Sequence, residues 1–396
     1  MNELQLGVIG AGGRGLLAGL AHQPDQGVRL VAGADISPAA RAQFRERAGA
    51  AAFVTDDYRQ LLARPEIDAV FITSPDFLHE EHAVAALEAG KGVYLEKPMA
   101  ITIAGCDRIL ATAVRCRQKL YLGHNMRHFP VVRKLKELID RGAIGEPKVG
   151  WCRHFISYGG DAYFKDWHAE RAKSTGLLLQ KGAHDIDILH WLCGGYTQTV
   201  TALGGLTLYD RISDRRAPTT PPNISWTEEN WPPLAQHGLN PVIDVEDVSL
   251  MLMQLDNGVF ASYQQCHYTP DAWRNYTIIG TAGRVENFGD GQGASVVRLW
   301  DKRHHYHPAG DAEFPIPVEE GTHGGADPKI VAEFIRYLRA GGATETSPVA
   351  ARYSVAAGCQ ATWSLRHGGQ PATVPPLSPE IARYFAAQQT NDVGRG

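Results

Sequence analysis

A glycine turn set between a strand and a helix constrains this chain more than any other feature. Gly10, Gly12 and Gly15 form G-x-G-x-x-G directly after the apolar run Leu4 to Ile9, and a helical stretch near Arg14 to His22 follows. Each glycine has its own reason: a tight turn at Gly10, close backbone approach at Gly12, and close helix–strand packing at Gly15. A helix N-terminus then presents unpaired N–H groups and partial positive charge to an anion. Asp35 ends the next strand, Val28 to Ala34, 20 residues after Gly15. A carboxylate there accepts from ribose hydroxyls and repels a 2′-phosphate. The turn predicts a dinucleotide site that favours NAD over NADP, built from Gly10, Gly12, Gly13, Arg14, Gly15 and Asp35.

The fold class expected is α/β. Strands at Leu4 to Ile9, Val28 to Ala34, Ala69 to Thr73, Gly92 to Leu95 and Leu120 to Gly123 alternate with helices at Ala39 to Arg47, His79 to Ala89 and Cys106 to Arg117. That alternation implies a doubly wound parallel sheet, a Rossmann domain over residues 1–124. Beyond it, Pro130 to Arg141 and Gly176 to Leu192 read as helices. Strand-like runs follow at Lys148 to Ile156, Thr199 to Leu208, Val248 to Leu255, Gly258 to His267, Asn275 to Gly280 and Ser295 to Trp300. Strands without intervening helices predict a C-terminal α+β domain over 125–385, with a largely antiparallel open sheet. Residues 209–245, rich in Pro, Thr and Asp, read as a long loop insertion of a functional or mobile kind. Asp327 to Arg339 reads as a helix and 386–396 as a flexible tail.

With 396 residues, 21% charged and a net charge of -4, the composition is that of an ordinary globular chain without a basic tract for nucleic acid. No apolar stretch approaches the ~18 residues of a membrane span. Met1-Asn2-Glu3-Leu4 lacks the charged start of a signal peptide, and the scattered cysteines form neither CxxC pairs nor zinc-finger spacing. These features predict a cytoplasmic protein with free thiols and no metal.

Two further segments narrow the reading. Thr73-Ser74-Pro75-Asp76-Phe77-Leu78-His79 is followed by Glu96-Lys97-Pro98, and Gly176 leads to His184-Asp185-Ile186-Asp187. With the glycine turn, these resemble the glucose–fructose oxidoreductase and inositol dehydrogenase family (Gfo/Idh/MocA) over roughly residues 3 to 340. The resemblance implies that Lys97 exchanges a proton with a sugar hydroxyl while hydride leaves its carbon, which needs a pKa lowered toward neutrality. It implies that Ser74, Pro75, His79 and Glu96 help to line the cofactor. For His79, capping of its helix is nearly as good an assignment. It implies that His184 relays a proton to the same hydroxyl, although a histidine satisfied within a buried helix face explains it without chemistry.

One position departs from the family pattern. An aspartate is usual one helical turn before the histidine, and this chain has Gln180, which positions a hydroxyl but accepts no proton. Relatives exist that oxidise a glycoside at C3, eliminate the C1 substituent, add water and return the hydride, leaving NAD unchanged. Such a cycle needs a base near C2 and an acid near the leaving group, not the paired carboxylates of ordinary glycosidases. Tyr158 and Tyr163 are candidates for the base, and His168 or Asp166 for the acid. Trp167 is a candidate platform for a pyranose face. All of them have a packing alternative. Arg127, His128, Arg171, Lys173 and Lys181 are candidates for meeting a sulfonated, carboxylated or phosphorylated sugar, or else form a solvated basic face. His323, in Thr322-His323-Gly-Gly-Ala-Asp327, is a sugar-site candidate or a helix cap. Redox-neutral glycoside hydrolysis thus stands first. A sugar or inositol dehydrogenase is the alternative and a non-catalytic NAD sensor a third. The expected partners are a small sugar and further copies of the chain, as a dimer or tetramer.

Overall fold

A computed structural model describes residues 3–291 and 293–389. The chain divides into two compact units. Unit 1 gathers the N-terminal 128 residues with 321–352 and the chain from 377, and unit 2 holds 129–320 and 353–376. A cut at residue 124 follows chain order, whereas the compact units do not. Helix Ala326–Ala340 returns to unit 1, because Ile330, Val331, Phe334 and Tyr337 complete the core of its sheet.

Unit 1 is built on parallel strands β1 (Leu4–Ile9), β2 (Val28–Ala34), β3 (Phe53–Thr55), β4 (Ala69–Ile72), β5 (Gly92–Leu95) and β6 (Leu120–Leu122), in the order β3-β2-β1-β4-β5-β6. β4 and β5 are buried along their whole length, as expected for strands covered on both faces. The order reverses beside β1, which places a ligand crevice at the carboxyl ends of β1 and β4. The stretch expected as a helix near Arg14 to His22 is a 3₁₀ segment, Gly13–Ala21. Gly13, Gly15 and Gly19 weaken α-helical propensity there, and the Gly15 N–H closes a tight bond of 2.7 Å to the Gly12 carbonyl. β3 and helix Tyr58–Leu62 were not foreseen; both are too short for a clear period.

Unit 2 holds β7 (Pro147–Phe155), β8 (Thr197–Gly205), β9 (Val248–Leu255), β10 (Phe260–Cys266), β11 (Trp273–Gly280), β12 (Arg284–Phe288), β13 (Ser295–Trp300), β14 (Ala312–Ile316) and β15 (Ala372–Thr373), in the order β14-β13-β12-β11-β7-β10-β9-β8-β15. The pairing is antiparallel except between β7 and β10. β9 alternates strictly between buried and exposed residues. Its outward Leu250 and Leu252, with Leu203 and Phe260, give an open apolar face.

The helix expected over Gly176 to Leu192 is interrupted. Leu177–Gln180 and Gly182–Cys193 are separated at Lys181. Residues 209–245 form no strand but are pinned, because Tyr209, Ile212, Leu239 and Val245 share a core with Phe164, Ala169 and Leu177. Of the expected tail, residues 386–389 belong to helix Pro379–Gln389, and 390–396 lie outside the described residues. All six cysteines are free thiols. Among the described residues no helix is long and apolar enough to cross a membrane.

Candidate active site

The glycine turn of unit 1 has the geometry that a dinucleotide needs. Gly10 adopts φ +85°, and a Cβ there would lie 2.5 Å from the Ser74 backbone nitrogen. A Cβ on Gly15 would lie 2.1 Å from the Gly10 carbonyl oxygen. Gly13, at φ +47°, faces open space, so the backbone stays bare where a pyrophosphate approaches. Asp35 accepts the Gly12 N–H at 3.1 Å and the Ser37 N–H at 2.8 Å. Its remaining lone pairs suit ribose hydroxyls.

Arg14 extends from this turn as a clamp. Its guanidinium donates to both Asp327 oxygens, at 2.7 and 2.9 Å, and to Glu96 at 3.2 Å. Asp327 also accepts from Thr322 at 2.7 Å and Asn125 at 3.1 Å, and lies 2.8 Å from His323 Nδ1. Burial would raise the Asp327 pKa, but the bonds from His323 and Arg14 hold it well below the usual carboxylate range. His323 thus faces Asp327, and its backbone carbonyl, not its ring, accepts the Ala326 N–H at 3.3 Å where the helix begins. Arg127 is buried and donates to the Glu345 carbonyl at 2.7 Å, and His128 is buried 3.7 Å from Glu333. Both are held inside unit 1.

Lys97 follows Glu96 at the end of β5. It is half-buried, and its bond to Pro98 is cis. His79 is fully buried, with Nδ1 2.7 Å from the Pro98 carbonyl and Nε2 2.8 Å from the Ser74 carbonyl. It is a staple joining the Ser74-Pro75 loop to the Lys97 turn, and it positions that turn from behind. The Ser74 hydroxyl meets His82 Nδ1 at 2.8 Å, while Pro75 is partly exposed.

In unit 2, His184 and Gln180 are both buried, Gln180 ending one helical piece and His184 opening the next. Lys181 sits at the break, only 8% exposed. Its Nζ lies 5.4 Å from the Tyr158 ring centre and 5.2 Å from that of Tyr163. Among the described residues it has no carboxylate within ion-pair distance. Burial and then the nearby Arg274 charge push its pKa down to about 7, and Asp185 and Asp290 offset this only in part. Tyr163 packs edge-on against His168 at 5.2 Å and His267 at 5.4 Å. His267 is fully buried, and burial with the neighbouring His154 and Lys181 keeps it neutral.

Behind His184 lies a charged core. Asp185, fully buried, accepts from Arg274 Nε at 2.9 Å and from the Tyr276 hydroxyl, and its other oxygen lies 3.0 Å from His154 Nδ1. His154 in turn lies 3.0 Å from the Tyr263 hydroxyl. Burial alone would raise the Asp185 pKa, but Arg274 and His154 hold it far below normal. The helix carrying His184 is thereby fastened through its next residue to β7, β10 and β11. Sequence reading missed Lys181 as a buried amine, and it missed Asp185, Arg274 and His267. The one available signal was an arginine among apolar strand residues at position 274.

His168 Nδ1 lies 2.6 Å from Asp166 Oδ1, so the carboxylate holds the imidazole with Nε2 turned away. Trp167 stacks on this imidazole at 3.8 Å, so one of its faces is taken by protein. Two members of the basic cluster have carboxylate partners in the chain. Arg171 binds Asp244 and lies 3.2 Å from Glu246, and Lys173 lies 3.0 Å from Glu170. Glu246 thus faces the guanidinium and Glu170 the ammonium, while the Asp244 carboxylate accepts the Arg171 backbone N–H.

Residues 4–124 match the oxidoreductase family, NAD-binding Rossmann fold, and residues 136–374 match its C-terminal alpha/beta domain. An inositol 2-dehydrogenase of Pseudomonas fluorescens is 37% identical over 192 residues, 48% of this chain and 54% of the relative. A 2,7-anhydro-N-acetylneuraminate hydratase of Mediterraneibacter gnavus is 31% identical over 207 residues, 52% of this chain and 53% of the relative. The chain thus spans about half the length of these curated relatives. A levoglucosan dehydrogenase solved with NADH and levoglucosan, at 21% identity, superposes with a TM-score of 0.75, covering 95% of this chain and 100% of that one, which shows the shared fold. The chain belongs to the Gfo/Idh/MocA oxidoreductase family, with NAD as the cofactor of its Rossmann domain.

Proposed function

We propose that the protein oxidises a sugar carbon, C3 of a glycoside, as the first step of a redox-neutral cleavage that ends in net hydrolysis. Bound NAD supplies a hydride acceptor at that carbon and a hydride donor at the end of the cycle. Lys97 exchanges the proton of the reacting hydroxyl, and His184 relays it. The observation that carries the reading is Lys181. Where the family pattern has a carboxylate, this chain has the amide of Gln180, and the next residue supplies a buried amine flanked by Tyr158 and Tyr163. Burial and the Arg274 charge push its pKa down to about 7, which makes the free amine available near neutral pH. It can remove a C2 proton acidified by an adjacent carbonyl. His168, held by Asp166, protonates the leaving oxygen. Arg171 and Lys173 are matched by carboxylates, so we assign neutral glycosides ahead of anionic ones.

A second reading, a sugar or inositol dehydrogenase with net NADH formation, is favoured by the inositol dehydrogenase relatives. A hydratase among the relatives is in keeping with the first. The test is turnover of methyl and p-nitrophenyl glycosides followed at once for aglycone and at 340 nm. Aglycone without accumulating NADH supports the first reading, and stoichiometric NADH supports the second. The open apolar face of β8 to β10 is the surface proposed for pairing copies of the chain.

A further inference from the structure

The hairpin joining β13 to β14 carries three side chains that none of this chemistry uses. His304 Nε2 lies 2.9 Å from Asp311 Oδ1, and His307 Nε2 lies 2.9 Å from His304 Nε2 and 3.8 Å from the same carboxylate oxygen. Each group is oriented from behind. His304 Nδ1 lies 2.8 Å from the His305 carbonyl. Only a donor fits against a carbonyl, so that nitrogen carries a hydrogen, and Nε2 is the atom turned toward Asp311 and His307. Asp311 Oδ2 accepts the backbone N–H groups of Asp301 and Lys302 at 2.9 and 3.1 Å, leaving Oδ1 to face the imidazoles. The His307 carbonyl accepts from Trp300 Nε1 at 2.9 Å, which anchors that turn to the end of β13.

Two imidazole nitrogens and a carboxylate oxygen converge within 4.8 Å of one another, which is a donor set that a single cation can share. We propose that His304, His307 and Asp311 bind a divalent transition cation of the zinc class, with the remaining coordination open to water. Tetrahedral zinc, with ligand bonds of about 2.0–2.2 Å, sets ligand atoms about 3.3 Å apart, and the observed 2.9, 2.9 and 3.8 Å bracket that value. Two imidazoles disfavour calcium and magnesium, which take oxygen ligands. The backing bonds to His304 and Asp311 are the outer contacts that fix ligands at such sites. The occupied site would clip residues 301–311 into one conformation. This inference is independent of the glycoside reading.

The test uses the tag-free full chain titrated with cobalt(II), read by its visible d–d absorption and then displaced with zinc. The expected result is one saturable cobalt per chain, displaced by zinc. Asp311→Asn and the His304→Gln/His307→Gln double variant should each weaken cobalt binding by more than the about 10- to 100-fold typical of losing a supporting contact. His305→Gln, whose side chain is outside the triad, should bind as the parent does. Circular dichroism and NAD binding check that each variant is folded. No saturable binding by the parent would overturn the proposal, because a proton shared by the imidazoles then explains the geometry. Unchanged binding by the folded Asp311→Asn and double-histidine variants would overturn it equally.

Discussion

Lys181 Nζ lies 5.2 Å from the centre of the Tyr163 ring, an ammonium set against an aromatic face in place of a carboxylate. Aromatic faces attract a cation but stabilise it less than water or an anion does. Each pKa unit of depression corresponds to about 1.4 kcal/mol of unfavourable burial. Lys181→Met should therefore stabilise the ligand-free chain at pH 7, on the order of 4 kcal/mol, while suppressing turnover. The pH dependence has a definite sign. Between about 7 and the ordinary lysine value, the unfolded chain holds a proton that the folded chain has lost. Stability of the parent relative to Lys181→Met should thus rise with pH across that window. Urea unfolding of both proteins at pH 7 and pH 9 checks this.

The same residue sets the pH profile expected of catalysis. If Lys181 acts as the C2 base, kcat/KM rises through about pH 7 as the amine deprotonates. Lys181→Met should abolish that limb and lower the rate about 100- to 10,000-fold, the usual range for a general base. NAD affinity, measured by fluorescence, should be unchanged.

Asp185→Asn removes the nearer carboxylate partner of the buried Arg274 and, among the described residues, leaves only Asp290, at 3.8 Å. Stranding a buried charge costs about 3–5 kcal/mol. Asp185→Asn/Arg274→Met should recover much of that loss. Because the folded Asp185 pKa is depressed, its contribution is complete above about pH 4, the ordinary aspartate value. It falls away as pH drops toward the folded value. Acid unfolding monitored from pH 5 to pH 2 should lose this component in the parent and show none of it in Asp185→Asn.

Much of unit 1 was legible in the sequence because its signals are local. The turn at Gly10, Gly12 and Gly15 needs particular backbone angles and spaces, and these appear directly as residue types. Unit 2 was less legible. Strand β12 was missed because its buried centre carries the polar Glu286 and Asn287, and β14 because it is short and buried only at its last residue. The break at Lys181 was hidden inside an apolar helical pattern. Arg171 and Lys173 stood between ligand contacts and a solvated basic face, and the Arg171 partner, Glu246, lies 75 residues away and is not visible in local sequence. Asp185, Arg274 and His154 meet across 31 to 120 residues of chain, and nothing in a single sequence couples them.

Asp35 and Gly15 give a prediction for the cofactor. Gly15→Ala drives a Cβ into the Gly10 carbonyl, backbone against backbone, so NAD binding should be lost. Asp35→Ser removes the carboxylate that repels a 2′-phosphate. It should weaken NAD and tighten NADP, and equilibrium titration of both cofactors reads the ratio.

The central claim is that Lys181 removes a proton beside a transient carbonyl and that hydride then returns. Turnover of a methyl glycoside in D2O, with product mass and 340 nm absorbance followed together, tests it most directly. The expected product is free sugar carrying one deuterium at C2, with no accumulating NADH. One NADH per sugar, or cleavage with C2 hydrogen retained, would contradict it.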